Sequence, residues 1–399
     1  MTTALVIGAG IAGPVAAMAL QKAGIHARMF EGHPTGADEV GSWLTLQANG
    51  IDALAAVDAQ HVVTGVGFPQ PSMRFFSGTG KALGRMSNGV PLADGTPTQM
   101  MPRAELYRVL RDEAVARGAS ISYGRQLVDA TTTGTRVTAA FADGGTAEGD
   151  LLIGCDGIRS RVRQIIDPAA PAARYVPVLN IGGVVSGVPV NAPVGEFQMV
   201  FGKRCFWAYV AVPDGRVAWF ANPPRADEPT GAELAAMTDA DWRTWLLDLT
   251  AADDRGPFPE IIRAAPGPLV GWATYDMPTV PTWHRDNMVI IGDAAHATSP
   301  AAGQGAAMAL EDAVLLPRFL RDAPDVATAF RLFEELRRDR VEKIVQYGAR
   351  SSHSKAAGPV GRIIRDAAMP LFMRMAAKQN TRWLHSHHID WDEPALIRR

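Results

Sequence analysis

Cysteine is nearly absent from this 399-residue chain: Cys155 and Cys205 are the only two. So sparse a supply excludes a disulfide-framed secreted scaffold and any four-thiolate metal site. Neither sign of charge dominates, with 39 Lys and Arg against 41 Asp and Glu for a net charge of −2. A chain so balanced has no global field with which to collect nucleic acid or an anionic membrane. Long apolar runs are missing as well. The stretch from Ala4 to Leu20 comes nearest, but Gly8, Gly10, Gly13 and Pro14 interrupt it and no basic segment precedes it. It therefore reads as a buried strand and helix rather than a signal peptide or a membrane span. No internal repeat or low-complexity segment is visible. What remains, 47% apolar and 20% charged, is the composition of a soluble globular α/β protein, expected in the cytoplasm.

Ala4 to Ile7 is a short apolar run that stops at a glycine, as a strand buried on both faces does. From Ala12 to Ala23, Ala, Leu and Met recur at helical spacing, Pro14 falls in the first turn, and Gly24 supplies the stop. His26 to Phe30 is a second strand, so a βαβ unit is complete within the first thirty residues. Further on, Val137, Ala139 and Phe141 alternate ahead of Asp143-Gly144-Gly145, a hairpin signal. Residues 175–187, 195–201, 205–212 and 216–221 are short runs rich in Val, Phe, Trp and Tyr. They predict an antiparallel sheet of their own. Thr238 with Asp241 marks the start of a helix carrying Trp242 and Trp245. After Gly305 the pattern is helical to about residue 380, with breaks expected near Pro317, Gly358 and Pro370.

The turn between the first strand and helix reads Gly8-x-Gly10-x-Ala12-Gly13, and Glu31 ends the next strand. Gly8 permits the tight turn, Gly10 lets a pyrophosphate approach the backbone, and Gly13 lets helix and strand pack closely. The helix N-terminus adds free N–H groups and the positive end of its dipole, and Glu31 can accept from ribose hydroxyls. The pattern points to a dinucleotide, with NAD and FAD both open.

Two further motifs carry a resemblance. Leu151 to Arg163 contains Asp156-Gly157-Ile-Arg159-Ser160, similar to the Asp-Gly motif of flavoprotein aromatic hydroxylases. Val289 to His296 contains Gly292-Asp293, and with Pro300 and Gly303-Gln304-Gly305 it resembles their Gly-Asp motif. Arg103, with Leu106 and Leu110 behind it, resembles the helix-borne arginine that these enzymes place near the flavin phosphates. The chain thus resembles group A FAD-dependent monooxygenases of the para-hydroxybenzoate hydroxylase fold, from residue 1 to about 345.

The resemblance implies an α/β fold: a Rossmann-type FAD-binding domain (1–174 with 270–345), an inserted antiparallel-sheet substrate domain (175–269) and a C-terminal helical segment (346–399). It implies that Asp293 bonds a ribitol hydroxyl, and that Pro300, Gly303, Gly305, Ala306 and Ala307 lie along the isoalloxazine. Backbone N–H groups there would favour negative charge on the reduced flavin. Asp156, Arg159 and Arg163 become candidates for FAD and for transient NADH or NADPH, with capping as the other reading of Asp156 and Asp293. Thr45 and Leu127 match flavin- and adenine-side positions. Many relatives carry Asn where Ala307 stands. His296 is expected to support its loop rather than to react.

The implied reaction is a single-component oxygenation: NAD(P)H reduces FAD, O2 adds at the flavin C4a, and the hydroperoxide hydroxylates an aromatic or polyketide-like small molecule. Epoxidation, Baeyer–Villiger insertion or oxidative decarboxylation by the same flavin chemistry, and a catalytically degenerate flavin-binding protein, are the alternatives. No two tryptophans are two residues apart, which speaks against a halogenase. Tyr209, Arg204 and His284 lie in plausible regions, but nothing selects a catalytic residue among them. Phe197, Met199, Phe201, Trp207, Tyr209, Trp219 and Phe220 are candidates for a cavity wall or for ordinary core, and Trp43 likewise. His385, His387 and His388 lack the neighbours of a metal site, so none is expected. The basic stretch with Arg362, Arg365, Arg374, Lys378 and Arg382 predicts a helix packed on the FAD domain. A homodimer is left open.

Overall fold

The computed structural model describes residues 2–36, 43–251, 253, 256–353, 366–368 and 382–395. Its first layer is a six-stranded sheet with the spatial order His284–Arg285, Met288–Ile290, Leu151–Gly154, Thr3–Ile7, His26–Phe30, Ser120–Ser122. All pairs are parallel except the outermost two-residue pairing. Ala4 to Ile7 are buried, as strands covered on both faces must be. Helix Ala12–Lys22 follows immediately, buried from Ala12 to Leu20, and Gly24 with φ +78° ends it. Helix Gly305–Asp322 packs across it and across helix Ala48–Ala55. Pro317 lies inside that long helix and does not break it; the chain turns only at Ala323. Burial from Ala307 to Phe319 supplies the packing that outweighs one lost hydrogen bond. Gly358 and Pro370 lie outside the described residues, as do Arg362, Arg365, Arg374 and Lys378.

The second layer is a seven-stranded sheet ordered Gly271–Asp276, Arg174–Val185, Val217–Asn222, Phe206–Ala211, Glu196–Phe201, Ser72–Ser77, Ala82–Ser87. It draws three strands from outside the 175–269 segment. Ser72–Ser77 pairs in parallel with Glu196–Phe201, a register no local pattern announces. The 136–149 hairpin joins a separate three-stranded sheet with Leu127–Thr133. Helix Asp239–Thr250 starts at a capping box in which Thr238 and Asp241 satisfy each other's backbone N–H.

Alternation splits the aromatic residues of this sheet between two faces. Phe197, Met199, Phe201, Phe206 and Phe220 cluster with Trp43, Phe68 and Met100, on the side of the small sheet Trp43–Leu46, Gln99–Pro102, Phe68–Pro69. Trp207, Tyr209 and Trp219 face the other way, against helices Asp239–Thr250 and Phe258–Ala264. Trp207 stacks on Phe258 with ring centroids 5.0 Å apart. The seven aromatic and methionine positions considered together therefore divide four to one face of the sheet and three to the other, each set inside its own packed apolar cluster. Among the described residues no helix is long and apolar enough to cross a membrane.

Candidate functional site

The glycine-rich turn has a different reason for each glycine. Gly8 sits at φ +98°, and a Cβ there would stand 2.5 Å from the Cys155 carbonyl oxygen. A Cβ on Gly13 would overlap the Gly8 carbonyl oxygen and lie 3.1 Å from its carbon. Gly10, between them, faces open space, with nothing within 4 Å of an added Cβ. The helix that follows has no side-chain cap, so its first N–H groups are free. Glu31 folds back onto the turn: Oε2 accepts from the Ala9 N–H at 2.8 Å and Oε1 from the His33 N–H at 2.8 Å.

The two motif aspartates divide between the readings open to them. Asp156 is a cap. Its Oδ2 accepts from the Arg161 and Val162 N–H groups at 2.7 and 3.1 Å, and Oδ1 from the Ser160 hydroxyl at 2.6 Å. Burial raises its pKa despite those three bonds. Arg163 is buried and donates to the Ala294 and Ile158 carbonyls at 2.9 and 2.7 Å, tying the Asp-Gly segment to the Gly-Asp helix. Arg159 alone of these candidates is exposed. Asp293 does not cap: helix Asp293–His296 has no side-chain cap bond, and the half-buried carboxylate lies 4.0 Å from where a Gly305 Cβ would be.

Arg103 is exposed at the start of helix Arg103–Ala116, and its Nε donates to the Tyr107 hydroxyl one turn on, at 2.5 Å. Tyr107 was not legible as a site residue. Burial raises its pKa, the Arg103 charge opposes this, and the negative charges of Asp293 and Glu31 reach it too. Arg103 and Tyr107 on this helix thus share an electrostatic neighbourhood with Asp293 and Glu31 from two other segments. Ala12 joins them, its Cβ 3.7 Å from an added Gly292 Cβ. Thr45 lies half-buried opposite Met100, and Leu127 is buried opposite Phe141, close to Arg125, whose N–H donates to the Glu31 carbonyl at 2.8 Å.

Pro300–Ala302 is a single 3-10 turn ending at Gly303 in the left-handed region, φ +62°. Gly305 then opens a helix whose N-terminus has no side-chain cap. Ala307 is buried, with its Cα 2.9 Å from an added Gly50 Cβ. That closeness requires glycine at position 50, where helix Ala48–Ala55 meets the start of helix Gly305–Asp322. Beneath the loop lies a buried charge network that the sequence did not announce. His296 Nε2 meets Asp312 at 2.5 Å, Arg337 bridges Asp312 and Glu311 at 2.7 Å each, and Arg340 reaches Glu311 at 2.8 Å. Burial alone would raise Glu311, but the Arg337 and Arg340 guanidiniums bring it down to about 2. His296 is thus held inside the network, a loop support.

Comparison with known proteins decides between the dinucleotides. Residues 1–346 match the FAD binding domain family. The chain belongs to this family of flavoprotein monooxygenases. An FAD-dependent urate hydroxylase of Klebsiella pneumoniae is 31% identical over 348 residues, 86% of this chain and 87% of that one. A chloroplastic zeaxanthin epoxidase of Oryza sativa is 27% identical across 86% of this chain and 53% of its own length. The crystal structure of Klebsiella pneumoniae HpxO with FAD and uric acid superposes with a TM-score of 0.84 at 26% identity, covering 96% of this chain and 97% of that one. FAD is thus the bound cofactor, and NAD(P)H the reductant typical of the family. The open Gly10, two uncapped helix N-termini and the Asp293 carboxylate are fitting partners for its anionic and hydroxylated parts.

Within the monooxygenase, the three side chains weighed for catalysis all point elsewhere. Tyr209 lies on the outer sheet face, Arg204 pairs with Asp248 at 2.8 Å, and His284 lies 3.6 Å from Glu334. The three C-terminal histidines also part company: His385 contacts Gln304, His388 contacts Asp52, and His387 lies within the electrostatic reach of Glu311.

Proposed function

We propose that this FAD-dependent monooxygenase is a single-component hydroxylase of an apolar aromatic or polyketide-like molecule. NAD(P)H and O2 are its co-substrates, and one oxygen atom goes to the organic substrate while the other leaves as water. When bound, FAD supplies the hydride acceptor and the activation of dioxygen. Gly8, whose own N–H donates to the Phe30 carbonyl at 2.8 Å, would set the turn, and Gly10, Ala12 and Gly13 would carry the pyrophosphate on free N–H groups, with Arg103, oriented by Tyr107, beside it. Glu31 and Asp293 would accept from ribose and ribitol hydroxyls, with Leu127 at the adenine side and Thr45 at the ring side. Asp156 would shape this site through the helix that it caps. In the loop begun by Pro300 and turned at Gly303, the free N–H groups of Gly305, Ala306 and Ala307 would stabilise negative charge on the reduced ring. No side chain of this chain is assigned as acid or base.

The observation that carries the substrate class is the inner sheet face. Phe197, Met199, Phe201, Phe206 and Phe220, with Trp43, Phe68 and Met100, form one continuous apolar cluster on this face. Such a wall excludes water from the reacting centre and offers nothing to a charged acceptor. The test is turnover under 18O2 with NADPH or NADH, comparing apolar phenols and naphthols with urate. One labelled oxygen in an apolar aromatic product, and none in urate, supports the proposal. Urate turnover with no apolar substrate accepted refutes it, and an epoxide or ester product moves the reaction to the corresponding alternative.

A further inference from the structure

Residues 382–395 lie beyond the 1–346 stretch matched to the family and run back across the FAD-binding layer as a strap. Its attachments are specific. Arg340 donates to the Trp383 carbonyl at 2.5 Å, Asp52 accepts from the Ile389 N–H at 2.9 Å, and Arg318 and Arg321 hold the Glu393 and Trp391 carbonyls at 2.6 Å each. Leu384, Ile389 and Trp391 are buried in the main core. The inner end of the strap reaches the loop before helix Gly305–Asp322. Gln304, fully buried between Gly303 and Gly305, has its Nε2 3.1 Å from His385 Nδ1, and its Oε1 accepts from Asn49 Nδ2 at 3.0 Å. The Gln304 side chain makes no bond to its own helix terminus, so these two partners set its orientation.

We propose that His385 is a positioning residue for the flavin-facing loop. By accepting from the Gln304 amide it fixes the residue between the two glycines and so aims the free N–H groups of Gly305 to Ala307. This rests on the reading that residues 300–307 lie along the flavin ring. An amide N–H can only donate, so Nδ1 is the lone-pair nitrogen and the ring proton sits on Nε2. Burial, and then the Arg340 charge, bring the His385 pKa down to about 4, which keeps the ring neutral and Nδ1 free to accept.

The experiment compares four holoprotein variants by flavin midpoint potential, visible circular dichroism of the flavin, and melting temperature. H385A is expected to reduce the preference for reduced over oxidised flavin about three- to tenfold, about 15–30 mV for two electrons. Its flavin circular dichroism changes too, with melting little affected. H385Q, whose side-chain carbonyl can accept the same bond, restores the potential. H388A, on the same strap but away from Gln304, leaves it unchanged. G303A, which strains a left-handed residue within the loop, moves it whether or not His385 matters. A shift in G303A without one in H385A overturns the role of His385 while the loop reading stands. No shift in either removes the loop reading as well. An equal shift in H388A and H385A reassigns the effect to strap docking and overturns the proposal.

Discussion

Gly10 and Gly13 are three residues apart in one turn, yet alanine at each should fail in opposite ways. At Gly13 the new methyl would overlap the Gly8 carbonyl oxygen and sit 3.1 Å from its carbon, both backbone atoms of a strand end that cannot rotate away. Helix Ala12–Lys22 must then lift from strand Thr3–Ile7, disturbing a contact whose flanking residues, Val6 and Ala16 among them, are fully buried. Overpacking of this kind costs about 1–3 kcal/mol, and more where backbone meets backbone. At Gly10 the methyl meets nothing within 4 Å, so apoprotein stability should change by no more than about 0.5 kcal/mol. In the proposed site the space it fills is where the pyrophosphate would approach, and FAD affinity should fall about tenfold or more, about 1.4 kcal/mol. Thermal melting of apoprotein, followed by FAD titration through quenching of flavin fluorescence, separates the two. G13A melting like the parent, or G10A binding FAD like the parent, would refute the assignment of roles within the turn.

The motif aspartates should separate in the same way. Asp156→Ala removes a cap and should cost about 1–2 kcal/mol of stability, whereas Asp293→Ala should leave melting unchanged and weaken FAD binding; denaturation and FAD titration read both. Arg337→Met leaves Glu311 and Asp312 buried without their shared cation, with all three side chains at 0% exposure, and should destabilise by about 3–5 kcal/mol in denaturant titration. His385 and His387 both have folded pKa values of about 4, below the ordinary imidazole value of 6.5. For His387, burial is the main cause; Arg337 and Arg340 add to it and Glu311 opposes them. The unfolded chain therefore takes up protons that the folded chain refuses, and stability falls as pH drops from 6.5 to 4, by roughly 2–3 kcal/mol for each histidine. Glu311 is shifted in the same direction, over a more acidic range. Its contribution is intact above pH 4.5 and is lost between there and about pH 2. Melting temperatures at pH 7.5, 6, 5 and 4 should step downward; a flat profile would contradict these assignments.

What was legible in the sequence was legible because it is local. The strand, turn and helix from Thr3 to Lys22 lie within twenty residues, and each glycine's task follows from spacing. The Thr238 capping box is a three-residue signal and stands where it was expected. Failures came where distant segments decide. Alternation in 196–201 placed Phe197, Met199 and Phe201 on one face, but only the helices packed behind the sheet show that Trp207, Tyr209 and Trp219 belong to the other. Pro317 looked like a break because its neighbours on helices Ala12–Lys22 and Ala48–Ala55 are far away in sequence. Both motif aspartates carry the same chemical promise, and only the N–H groups already bonded to Asp156 distinguish them. The network of Glu311, Asp312, Arg337 and Arg340 spans two helices at no characteristic spacing, so only the fold reveals it.

The central claim is that one polypeptide holds FAD, takes hydride directly from a nicotinamide, and does so for an apolar aromatic substrate. Anaerobic mixing of the purified holoprotein with NADPH and with NADH, followed in the flavin absorption bands, tests it most directly. It should be run with and without a panel of phenolic and polyketide-like compounds, and with urate. The account predicts bleaching of the bound flavin that accelerates with an apolar aromatic member of the panel and not with urate. A bound flavin that neither nicotinamide reduces, whatever the panel compound, would contradict it.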